Sequence, residues 1–134
     1  MRARLVVLMA WVLASWLVLP AAANGGEATQ TVAGGGVTAK VTFTNPKGAE
    51  ELRFTVALDT HSVNLDAFDL RASSTLHDDK GNRWAPSAVE KKGSGHHQTL
   101  TLIFPKPTGE AKKVELIIKE LAGIKERKFR WDMK

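Results

Sequence analysis

From residue 37 to residue 131 apolar and polar side chains alternate in short blocks. Val37, Ala39, Val41 and Phe43 share one side of an extended chain, with Thr38, Lys40, Thr42 and Thr44 on the other. Successive strand residues point to opposite faces, so a period of two predicts a half-buried strand. Leu52, Phe54, Val56 and Leu58 repeat the pattern against Arg53, Thr55, Ala57 and Asp59. Leu100, Leu102 and Phe104 mark another strand, Val114, Leu116 and Ile118 the next, and Phe129 with Trp131 the last. Residues 70–76 and 83–91 predict two less regular strands, the second interrupted near Pro86. Residues 61–69 read as a crossing between sheets, with Leu65 and Phe68 tucked beneath it.

Turn residues punctuate these blocks. Asn45-Pro46-Lys47-Gly48, Asp78-Asp79-Lys80-Gly81-Asn82, Gly93-Ser94-Gly95 and Ala122-Gly123 are the residue types that reverse a chain. About seven short strands with frequent turns and no amphipathic helix predict an all-β fold, an antiparallel immunoglobulin-like sandwich. A closed barrel is the alternative. Residues 24–36, small, polar and glycine-rich, read as a flexible lead-in, and residues 37–134 as the sandwich domain.

The first 23 residues differ in kind. Arg2 and Arg4 precede an uncharged apolar run at 5–19, which Pro20 ends and Ala21-Ala22-Ala23 follows. That is the layout of a cleaved signal peptide. The run is shorter than the roughly 20 residues of a spanning helix, although an uncleaved anchor is the other reading. Cleavage after Ala23 would leave Asn24 first, with a chain of 111 residues, enough for one domain with its own core. There is no cysteine, and no Asn-X-Ser/Thr acceptor. A periplasmic or secreted bacterial protein fits best, and no integral membrane span remains after cleavage. The net charge is +5, or +3 once Arg2 and Arg4 are set aside, too mild to argue for nucleic acid.

Candidate chemistry rests on the histidines. If each hairpin reverses direction, His61 and the loop holding His96 and His97 share one end of the domain. His77 lies a strand length away, roughly 23 Å. Neutral imidazoles suit copper, zinc and nickel, and three histidines plus water is a zinc arrangement. His61, His96 and His97 are therefore the candidate metal ligands, with copper or zinc as the expected ion. Against this stands the plainer reading of two solvated loop histidines and one at a strand end.

Other constellations carry less. Asp59-Thr60-His61-Ser62 holds the residue types of a hydrolytic triad, but alternation sends Ser62 away from the face that Asp59 and His61 share. The run at 78–82 lacks the spaced carboxylates and closing glutamate of a calcium loop. The basic, aromatic run at 125–134 is explained by aromatics turned inward and Lys128 and Arg130 turned to water.

Asp59-Thr60-His61-Ser62, the stretch at 78–82, Gly95-His96-His97 and Glu126-Arg127-Lys128-Phe129-Arg130-Trp131 together resemble small exported bacterial sandwich domains, over residues 41–131. More loosely, the architecture is similar to periplasmic copper carriers. Two departures limit what that resemblance implies. Blue-copper sites need a cysteine, which is absent, and sites built on an N-terminal histidine would find Asn24 instead. The expectation is a non-catalytic exported binding module with a transition metal at the His61 end. The alternative is a protein–protein accessory domain of a periplasmic or cell-surface assembly without metal.

Overall fold

The computed structural model describes residues 28–44, 50–107 and 111–133. The apolar leader, the start of the lead-in and the Asn45-Pro46-Lys47-Gly48 turn lie outside those residues. Nine strands form among the described residues: β1 (Thr29–Gly34), β2 (Val37–Phe43), β3 (Glu51–Thr60), β4 (Ser74–Asp78), β5 (Arg83–Trp84), β6 (Ala88–Ser94), β7 (His97–Pro105), β8 (Lys113–Leu121) and β9 (Ile124–Asp132). A 3-10 turn (Leu65–Ala67) and a single helical turn, α1 (Leu70–Ser73), lie between β3 and β4. The strands make two antiparallel sheets, β1-β2-β3-β7-β6 and β5-β4-β8-β9.

The alternating residues form the core between the sheets. Val37, Ala39, Val41 and Phe43 of β2 face inward with Leu52, Phe54, Val56 and Leu58 of β3 and Leu100, Leu102 and Phe104 of β7. They meet Leu76, Val114, Leu116, Ile118, Phe129 and Trp131 of the second sheet. Each large side chain so buried is worth roughly 1.5–3 kcal/mol. The aromatics gather at one end: Phe43 stacks on Phe54 at 4.6 Å between centroids, and Trp131 packs on Phe54 at 5.0 Å. Val37 pairs with Thr60, and Asp59 with His97, at the opposite end. That end is called the histidine pole below.

Three segments differ from what the sequence pattern predicts. Thr29–Gly34, placed in the lead-in, is an ordered strand paired with β2 from Thr29↔Thr42 to Gly34↔Val37. It is held mainly by polar bonds. Buried Gln30 accepts from the Arg130 amide at 2.9 Å and donates to the Arg130 carbonyl, and Trp131 Nε1 donates to the Ala28 carbonyl at 3.0 Å. Of residues 70–76, the first four form α1, capped by Asp69, whose carboxylate accepts from the Arg71 amide at 3.0 Å. Residues 83–91 divide between the sheets. Buried Pro86 has no amide to donate, and the chain leaves β4 there and resumes beside β7 as β6.

Among the described charged residues Arg127 is the inward-facing exception, only 1% exposed. Its Nη1 donates to the Val32 and Val37 carbonyls at 3.4 and 3.1 Å, and its Nη2 to those of Gly34 and Leu121 at 2.7 and 3.1 Å. Nε has no partner. Burial holds its pKa below the usual arginine value. The guanidinium thereby ties the β1–β2 turn to the β8–β9 turn. Those turns meet closely: a Cβ on Gly35 would lie 2.1 Å from the Ala122 carbonyl oxygen. In the β8–β9 hairpin Glu120 and Ala122 take left-handed φ angles of 57° and 53°, which cost a residue bearing a Cβ. The kink leaves Glu120 exposed and returns Leu121 to the core.

Candidate functional site

The histidine pole is built where β3 ends and β7 begins. Thr60, 4% exposed, donates its amide to the His96 carbonyl at 3.0 Å. Its Oγ1 accepts from the Ser62 and Val63 amides at 3.2 and 3.1 Å, which turns the chain out of the sheet. His61 stands exposed at that corner. Across from it, Ser94 pairs with His97, and Gly95-His96 makes a two-residue turn. Gly95 has φ of 69°, the conformation glycine supplies at the first central position of such a turn. His96 therefore sits exposed at the apex.

His97 opens β7 on the outer face, directly opposite Asp59. Its Nδ1 lies 2.6 Å from Asp59 Oδ1. An ionised carboxylate only accepts, so Nδ1–H donates and Nε2 is left to solvent. The two side chains are 72% and 60% exposed, so the contact orients the ring more than it stabilises the fold.

Asp66, on the 3-10 turn, fastens the crossing to this end. Its carboxylate accepts from the Gly95 amide at 3.1 Å, from Lys91 Nζ at 3.2 Å and from Gln98 Nε2 at 2.6 Å. The Gly95 amide, and then Lys91, hold its carboxyl below the usual aspartate range. Its oxygens are committed to holding the turn.

The structure brings His61, His96 and His97 to one end and leaves His77 elsewhere. His77 lies on the outer face of the second sheet, between Arg83 of β5 and Glu115 of β8. The next residue, Asp78, pairs with Val114, which pairs with Trp131 of the aromatic end. Burial pushes the His77 imidazole below its usual pKa, and Arg83 and Lys119 add to this against Glu115 and Glu126. Among the described residues no three histidine, aspartate or glutamate side chains stand together as a ready-made ion site.

The carboxylate at 59 turns to His97, 38 residues away, rather than to His61. Ser94 follows His97 in the same row of the sheet. All three side chains are open to water, and among the described residues no side-chain hydrogen bond joins Ser94 Oγ to the His97 ring, whereas a nucleophile must be held on its base. In the 78–82 turn the Asp78 carboxylate accepts from the Lys80 and Asn82 amides at 2.9 Å each and from Asn82 Nδ2 at 3.0 Å, the bonding of a plain turn. A shallow depression near the β8–β9 turn is lined by Lys119, Glu120, Ile124, Lys125 and Glu126.

The part of Asp59 was not visible from the sequence, because cross-strand register decides which carboxylate meets which imidazole. Comparison with protein-family models, with curated proteins and with solved structures found no match for this chain.

Proposed function

We propose that this chain is a non-catalytic exported binding module of the immunoglobulin-like sandwich type, and that its histidine pole takes a divalent transition-metal ion, copper or zinc. The observation that carries the reading is the 2.6 Å contact between Asp59 and His97 Nδ1. A carboxylate on one ring nitrogen fixes the tautomer, presents the other nitrogen outward and raises its basicity, as metal-ligating histidines commonly require. His61 and His96 flank this ring from the adjoining corner and turn. Their side chains are exposed and free to rotate toward a shared ion. The site is thus assembled by the ion rather than preformed, and its affinity is modest.

Calorimetric titration of the purified protein with copper(II) and with zinc tests this. Heat of binding should appear with the parent and with His77→Ala. It should be lost in His61→Ala and in the paired His96→Ala/His97→Ala protein, and be weakened in Asp59→Asn. Imidazole must be deprotonated to ligate, so binding should weaken below pH about 6. No heat from the parent protein removes the metal reading. The second reading, an accessory domain of a periplasmic or cell-surface assembly, rests on a different feature, the long exposed strand β6.

A further inference from the structure

Each sheet of an open sandwich has two edges, and the four edges here are not equivalent. β1 and β9 close one side together, through Gln30, Trp131 and Arg127. β5 is two residues long. That leaves β6, Ala88–Ser94, as the long open edge among the described residues, exposed from Glu90 to Ser94. An edge strand presents a row of backbone donors and acceptors that can template another strand.

We propose that β6 pairs antiparallel with β6 of a second copy of this chain, about a two-fold axis at Lys91. The side chains support the register. Glu90 and Lys92 stand on the outer face, beside Thr101 and Thr99 of β7. Pairing about Lys91 sets Glu90 opposite Lys92 and, by symmetry, Lys92 opposite Glu90. A two-fold contact repeats each interaction, so one attractive pair becomes two. Lysines on an edge ordinarily oppose strand addition. In this register each Lys92 meets a carboxylate; the two Lys91 residues face each other across the axis on the inner side, and the charge of each is already paired with Asp66 of its own subunit at 3.2 Å. Moving the axis by one residue loses this, because Glu90 then faces Glu90, or Lys92 faces Lys92. The outer-face charges, Glu90 and Lys92, therefore favour one symmetric register and oppose its neighbours. Gly93, at a left-handed φ of 83°, bends the strand after Lys92, so the paired run is short. A contact of this size, mainly backbone bonds and two exposed ion pairs, makes a weak and reversible dimer.

Sedimentation velocity on the purified full chain at low salt, over a concentration series to about 1 mM, tests the dimer. The parent should shift from monomer toward dimer, less so in high salt. Glu90→Lys and Lys92→Glu each convert both attractive pairs into repulsive ones. Each should raise the dissociation constant on the order of tenfold or more. The double variant Glu90→Lys/Lys92→Glu should regain the parent's association. Mixing the two single variants should give a heterodimer, since both positions are then basic on one strand and acidic on the other. Both positions are exposed, and circular dichroism melts confirm that the variants fold. A parent that stays monomeric throughout overturns the proposal. So does a dimer indifferent to the single swaps, or one lost in them that neither the double variant nor the mixture restores.

Discussion

Replacing Arg127 by methionine removes the guanidinium and keeps most of its volume. Of its five N–H donors four are used, on the carbonyls of Val32, Val37, Gly34 and Leu121. The bonds to Val37 and Leu121 are fully buried, so those two oxygens have no water to turn to, while those of Val32 and Gly34 are partly open. A stranded buried acceptor costs about 1–3 kcal/mol, which gives about 2–6 kcal/mol for the two. The substitution also removes a desolvated charge whose Nε is unpaired, and that gain offsets part of the loss. The expected net cost is about 2–4 kcal/mol, a large share of the 5–15 kcal/mol typical of a domain. Urea unfolding followed by circular dichroism measures it, and an unchanged slope shows that the unfolded reference is the same. Amide exchange should quicken first in β1 and at the β8–β9 turn, the segments the guanidinium joins. Arg127→Met at parental stability or above would refute the reasoning. Arg127 would then be one of those buried charges that an apolar side chain replaces without loss.

Other outcomes follow from burial and charge. Leu102, fully buried in β7, should cost about 2–5 kcal/mol when cut to alanine, and exposed Lys40 less than about 0.5 kcal/mol; denaturant melts that make the two equal would reverse the facing of the first sheet. His77, with its imidazole pKa depressed in the fold, makes the protein lose stability as pH falls below the free-imidazole value of about 6.5. Between the folded and unfolded values only the unfolded chain takes the proton; above both, neither does. Unfolding curves from pH 8 to 5 should show this slope in the parent and a flatter one in His77→Gln.

The sequence was most readable where the core is apolar and the strands are long. In β2, β3 and β7 every residue assigned inward by alternation is buried to 4% exposure or less. β1 escaped notice because its buried anchor is Gln30, a polar residue held by hydrogen bonds, in a stretch whose glycines and threonines resemble a linker. Arg127 occupies the same parity as Phe129 and Trp131, so alternation does place it inward. Only the general rule that charges stay in water argued otherwise. The split of residues 83–91 between two sheets had one local sign, Pro86, and a proline alone does not say that the chain changes layers. At the histidine pole, strand direction sufficed to bring residues 61, 96 and 97 to one end. The pairing of His97 with Asp59 needed the register between β3 and β7, which no local pattern contains.

The seam between β1 and β9 also bears on timing. Trp131 bonds to Ala28 across 103 positions, and Gln30 to Arg130 across 100. β1 and β9 are each held locally by a hairpin partner, β2 and β8, but these bonds between them cannot form before β9 is made. A chain emerging from the ribosome leaves β1 without its partners on β9 until β9 has been made, and loop closure over such a span is slow. Contacts of this sequence separation favour a late, all-at-once completion of the fold.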